Sequence, residues 1–136
     1  MHALQETRKL LNPNGLLVNI HDLPVNSVIE LHYPHMVKKM GWLMDRENFA
    51  NELSAFNALA QVVADRYFLL EDERNFGYNI FVDNLDELQE WFADWWTSAV
   101  IPDNILQQLT ELNQDAQSSS RIVINLQSRM TKLRAN

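Results

Sequence analysis

The sequence predicts a small α/β protein of mixed α+β character, on three observations. A helix-like stretch with Leu4, Leu10 and Leu11 runs into the turn formers Asn12-Pro13-Asn14-Gly15, and these lead into the apolar run Leu16 to Ile20. A long amphipathic helix is expected from Arg46 to about Tyr67. Two segments, 76–82 and 122–130, alternate apolar and polar residues as strands do. With 136 residues the chain can bury one real core, and it reads as a single domain over 1–136.

Taken in order, Pro13 disfavours helical geometry at the residue before it and so ends the first helix. Asn14 and Gly15 are the residue types that accept positive φ most cheaply. Leu16 to Ile20 is almost continuously apolar, the pattern of a strand covered on both faces. His21-Asp22-Leu23-Pro24 is then expected to leave the sheet. Ligands of open α/β sheets sit beyond the carboxyl ends of strands, which makes His21 and Asp22 candidate substrate contacts. The alternative is a plain strand-ending turn, in which Asp22 bonds its own backbone and Pro24 sets the exit.

Val28 to His32 reads as a strand and Met36 to Met44 as a second extended run, with Tyr33-Pro34-His35 between them. His32 and His35 invite a metal-site reading. Pro34 breaks any regular helix that would align them, and no carboxylate spacing completes a ligand set, so no metal site is expected. Glu30 shares a strand face with His32 and gives at best a pair.

Asp45 is a suitable N-cap for the long helix, whose apolar stripe is Phe49, Leu53, Phe56, Ala60, Val63 and Tyr67. Residues 68–82 read as a hairpin, two apolar arms around a charged turn with Asn75 and Gly77 as breakers. Glu71, Asp72 and Glu73 point in different directions on any regular element, which suits a solvated turn better than a cation site. Asp83-Asn84 caps a helix from Leu85 to about Val100 with the stripe Leu85, Leu88, Phe92, Trp95 and Ala99. Trp91 and Trp96 broaden that stripe; they either pack inside or leave one ring to line a pocket or an interface. Pro102 and Asp103 open a further helix through Ile105, Leu106, Leu109 and Leu112. Residues 115–120 form the clearest loop. Arg121 to Met130 alternates as a final strand, although Ile122, Leu126, Met130 and Leu133 would also fit a helix face.

Composition excludes several function classes. The absence of cysteine removes disulfides, thiolate metal sites and thiol nucleophiles. No run approaches the roughly 18 apolar residues of a membrane span, and Gln5, Glu6, Arg8 and Lys9 interrupt any signal-peptide core, so a cytoplasmic, non-membrane protein is expected. Charge is uneven: residues 1–44 carry a net +1, residues 45–115 a net −12 and the remainder a net +4. An acidic surface of this kind repels a phosphate backbone, and no nucleic-acid partner is expected. The basic tail is instead placed to pair with the acidic stretch. Three isolated glycines form no nucleotide loop, no Gly-x-Ser-x-Gly elbow occurs, and no catalytic residue can be assigned.

Helix, then Leu10-Leu11-Asn12-Pro13-Asn14-Gly15, then the apolar strand resembles class I S-adenosylmethionine-dependent methyltransferases. In that family a Leu-Lys-Pro-Gly-Gly turn feeds the fifth strand of a seven-stranded Rossmann-like sheet. Glu6, Leu10, Leu11, Pro13, Gly15 and Leu16 to Ile20 match, while Asn14 replaces a glycine. The resemblance covers residues 3–22. It implies the C-terminal part of such an enzyme, with an incomplete Rossmann-like sheet and a C-terminal antiparallel hairpin and strand in place of the sixth and seventh strands. The family's cofactor residues precede this turn, so the chain alone is expected to bind no S-adenosylmethionine and to be inactive. His21 and Asp22 fall where some members contact the methyl acceptor.

In the family, strand five lies between strand four and a later strand. Without strand four its edge is bare, which implies a homodimer or a complementary N-terminal methyltransferase half as partner. The rival is a dimeric α+β ligand-binding or interaction module that shares only the helix, turn and strand. A central strand with parallel neighbours would favour descent from the enzyme; an edge position or an antiparallel sheet would favour the module. A third reading, an enzyme using His21, Asp22, His32 or His35, requires those groups to converge in one cleft.

Overall fold

The computed structural model describes residues 2–113 and 119–136; of the predicted loop, 115–118 lie outside them. In chain order the elements are α1 (His2–Leu10), β1 (Leu16–Asp22), β2 (Val28–Tyr33), β3 (Met36–Trp42), α2 (Arg46–Ala64), β4 (Phe68–Val82), α3 (Leu85–Trp95), α4 (Asp103–Asn113) and β5 (Arg121–Ala135). Among the described residues the fold is mixed α+β, with four helices and an open antiparallel sheet of five strands. The last segment is a strand, which resolves the strand-or-helix ambiguity at 121–134. The chain divides into two compact units, one of Met1–Pro24, Phe49–Phe76 and Gln127–Asn136, the other of Val25–Asn48 and Gly77–Leu126.

In the first unit, α1 ends at the predicted turn. Gly15 N–H donates to Asn12 O at 2.8 Å, and Asn14 takes φ 62°. Pro13 at the second position and positive φ at the third give the pattern of a type II turn. Gly15 is needed for a different reason: a Cβ there would lie 2.9 Å from Asn12 O and 3.2 Å from Leu11 Cβ. β1 pairs antiparallel with β5, Leu16 opposite Arg134 through Asp22 opposite Ser128. Helix α2 ends with Arg66 in the left-handed region at φ 61°, where Arg66 N–H donates to Val63 O and Tyr67 N–H to Val62 O, a Schellman-type stop. The core is Leu59, Val62, Phe68, Leu133 and Ala135, with Leu4, Leu11, Leu17 and Val63 packed around it.

β1 departs from expectation in two ways. It is not covered on both faces, because Leu16, Val18 and Ile20 are 45%, 54% and 61% exposed. Directly paired residues share a face, so Leu17 with Leu133, Asn19 with Thr131 and His21 with Arg129 line the inner side. The strand also continues through His21 and Asp22 instead of releasing them beyond its end. β5 is long enough to pair with both residues, which keeps them in the ladder.

In the second unit, β2 pairs antiparallel with β3, with a register shift at Ile29/Glu30, and with residues 121–125 of β5. Asp45 caps α2 by accepting from Asn48 N–H at 2.9 Å and also accepts from Trp96 Nε1. Asn84 caps α3, its side chain accepting from Glu87 N–H at 2.9 Å, while Glu87 returns the bond to Asp83 N–H at 2.6 Å. α3 stops at Trp95, short of the expected Val100, and its end is signalled by Trp96 N–H to Phe92 O. Ile29, Leu31, Leu43, Leu85, Leu88, Phe92, Ile105, Leu109 and Ile124 are among its buried core. Trp91 and Trp96 pack against this core with Phe92; Trp95, assigned to the stripe from sequence, is instead 78% exposed.

The expected hairpin at 68–82 is one continuous 15-residue strand, β4, which pairs with β5. The charged middle is held in the strand by cations of β5: Glu71 bonds Lys132 (2.9 Å) and Arg134, and Glu73 bonds Arg129 (3.1 Å). Cross-strand charge pairing thus replaces the solvated turn. The expected pairing of basic tail with acidic stretch is present, but along two strands.

A candidate ligand cavity in the first unit

α2 and the inner side of the sheet line a half-open cavity of about 270 Å³ within the first unit. Phe56, Leu59, Ala60 and Val63 of α2 form one wall. Leu70 and Glu73 of β4, His21 of β1, and Arg129, Thr131 and Leu133 of β5 form the other. Phe56, Ala60 and Val63 of this wall belong to the predicted apolar stripe; Leu59 does not, and Phe49, Leu53 and Tyr67 of the stripe are exposed. The sheet wall is the face on which His21 stands opposite Arg129, with Thr131 and Leu133 two and four residues further along the same strand.

The polar groups of this wall fall into two sets. Arg129 is well satisfied: it bonds Glu73, donates from Nε to Asn75 Oδ1 at 2.8 Å, and lies 5.0 Å from the centre of the Phe56 ring. Its charge is therefore balanced beside the cavity, with a cation–π contact added. His21 and Thr131 are the second set. Asn19 Nδ2 donates to His21 Nδ1 at 2.8 Å, which places the proton of the neutral ring on Nε2. That Nε2 and Thr131 Oγ1 are buried without a hydrogen-bond partner. Thr131 is only 4% exposed. Leaving such groups unmatched costs about 1–3 kcal/mol each. Burial first, and the nearby Arg129 second, push the His21 pKa below its ordinary value of 6.5, outweighing Asp22 and Glu73, so the neutral ring predominates at pH 7.

The candidates named from sequence separate clearly. His21 lines the cavity. Asp22 does not; it accepts from Ser128 Oγ and closes the end of the β1–β5 ladder. Asp22 also acts at a distance on Glu52, whose pKa is raised mainly by burial and then by this like charge. His32 and His35 belong to the other unit. His32 Nε2 bonds Glu30 Oε2 at 2.8 Å and sits edge-on to Phe81, the pair expected from their shared face. His35 lies exposed in the β2–β3 turn. No group of three or more potential metal ligands occurs among the described residues.

Thr131, Arg129 and Glu73 were not candidates from sequence. The available signal was the spacing Arg129-x-Thr131-x-Leu133, polar residues in register with a buried leucine on one strand face. The alternation Ile122, Ile124, Leu126 earlier in the same strand masked it. Among the described residues, no helix is long and apolar enough to cross a membrane. Comparison with protein-family models, curated proteins and solved structures finds no match for the chain.

Proposed function

We propose that this chain is the substrate-side, C-terminal portion of a methyltransferase-like Rossmann architecture, a cytoplasmic association module without its own S-adenosylmethionine site. The observation that supports this reading is the helix–turn–strand order at its start: α1, a turn closed by Gly15 N–H to Asn12 O at 2.8 Å, then β1, as in the methyltransferase-like motif. Among the described residues β1 pairs with β5 alone, which leaves its other edge open, and Leu16, Val18 and Ile20 are exposed on one face. A homodimer of the isolated chain, or a complementary N-terminal half, would cover this edge, and His21 would contribute substrate contact from the neighbouring cavity. Titration calorimetry tests the cofactor claim: S-adenosylmethionine is expected to give no binding heat with the chain alone, and a micromolar dissociation constant would overturn it.

A second reading, the α+β ligand-binding module with no methyltransferase descent, is favoured by the antiparallel pairing of β1 with β5. The edge position of β1 favours this second reading as well. DNA upstream of Met1 separates them: a reading frame encoding a glycine-rich strand, loop and helix supports descent from the enzyme, and its absence supports the module.

A further inference from the structure

The open edge of β1 has a defined pattern of hydrogen-bonding groups and side chains. Ala135 N–H donates to Gly15 O and Leu23 N–H to Gln127 O, both at 2.8 Å, so the odd-numbered positions along β1 make the hydrogen-bonded pairs with β5. The N–H and C=O groups of Leu16, Val18 and Ile20 therefore point to the open side, and these are also the residues with exposed apolar side chains. We propose that a second copy of the chain adds its own β1 to this edge, antiparallel and with Val18 on the two-fold axis. The inference rests on the open edge named in the proposed function and not on methyltransferase descent.

The register follows from two conditions. Even-numbered residues offer the backbone groups on this side, so each must stand opposite an even-numbered residue of the second copy. Of such registers, one sets every exposed apolar residue against another: Leu16 against the partner's Ile20, Val18 against the partner's Val18, and Ile20 against the partner's Leu16. A shift of two residues in either direction places Asn14 or Asp22 against an apolar residue. In the favoured register each pair exchanges two backbone hydrogen bonds, and the two sheets run on as one across the axis. Among the described residues, the other outer strands are guarded where β1 is not. β4 carries the charged run Glu71 to Arg74, and β3 carries Lys38 and Lys39 beside a register shift, features that deter pairing. A charged partner segment is not favoured either. Lys132 and Arg134, the neighbours of Val18 and Leu16 on the same face, are both already bonded to Glu71. The edge thus fits another copy of itself better than a segment of different chemistry.

The chain contains no cysteine, so single-cysteine variants report the register without background. Full-length Val18→Cys, Leu16→Cys and Ile20→Cys are oxidised with copper phenanthroline at tens of micromolar, and their folding is checked by circular dichroism. In the proposed register the two Cα atoms at position 18 stand about 5.5 Å apart, within disulfide reach. The two copies of position 16, or of position 20, stand about 15 Å apart and beyond it. Val18→Cys is expected to form a covalent dimer about tenfold faster than either other variant alone. An equimolar mixture of Leu16→Cys and Ile20→Cys is expected to form the mixed dimer at a rate comparable to that of Val18→Cys. Should Val18→Cys misfold, the mixed pair decides alone. Equal rates in all three single variants, the mark of chance collision, would overturn the inference. So would a wild-type chain that elutes as a monomer, which leaves a complementary half as the cover of this edge. Calorimetry with S-adenosylmethionine reads the cofactor claim separately, and its result leaves these outcomes unaffected.

Discussion

At the residue scale, His21 is where reading the sequence and reading the structure meet, though for different reasons. The sequence singled it out as a residue released beyond a strand end. The structure keeps it inside the strand, paired with Arg129 across the ladder and facing a cavity. Its titration gives a direct check. The groups acting on the ring are Arg129, Asp22 and Glu73, and burial is the largest influence. Because the folded-state pKa lies below the ordinary 6.5, the unfolded chain takes up the proton first as pH falls. Stability should therefore decline from about pH 7 downward until the folded ring also titrates. Melting curves from pH 7.5 to 5.5 should show wild type losing about 1–3 °C more than His21→Gln. Parallel slopes for the two proteins would remove His21 from the explanation. Asp22 was legible only as a neighbour, since its role depends on Ser128, more than a hundred positions later in the chain.

At the element scale, what could be read was local and what could not was long-range. The Asn12–Gly15 turn and the Asp45 and Asn84 caps are set by neighbouring residues and were legible, whereas the stripe of α2 was misplaced: Leu59 and Val62 are buried, while Phe49 and Leu53 are 43% and 42% exposed. The β4 segment was misread because Glu71 to Arg74 looks like a turn until Arg129, Lys132 and Arg134 stand beside it. A cross-strand ion pair has no trace in local sequence. The cavity wall on β5 was hidden in the same way, because Thr131 gains its meaning only opposite Asn19 and below α2. Gly41 is another long-range case. It stands at φ +147° in β3, and a Cβ there would approach Ile105 Cδ1 of α4 to 2.8 Å. Gly41→Ala combines backbone strain with overpacking against α4, and chemical denaturation should show a loss of about 2 kcal/mol. A loss within experimental error of zero would mean that the β3–α4 approach relaxes freely.

At the scale of the whole molecule, the mixed α+β character was readable from the chain, whereas strand order was not. Strand order depends on which edges find partners, and among the described residues the first strand keeps one edge unpartnered. Natural sheets blunt such edges with charge, proline or bulges. β1 carries none of these before Asp22, and its exposed face presents Leu16, Val18 and Ile20 in alternation. An antiparallel strand edge is complementary to itself about a two-fold axis, so a second copy of the chain is its simplest cover. Val18→Glu should break that contact and leave the fold intact, because the new carboxylate stands opposite Lys132. Size-exclusion chromatography with light scattering at tens of micromolar tests this most directly. Wild type should elute at twice the 15.9 kDa chain mass, and Val18→Glu at the mass of one chain. A clean monomer for the wild-type protein would contradict the association role assigned to β1.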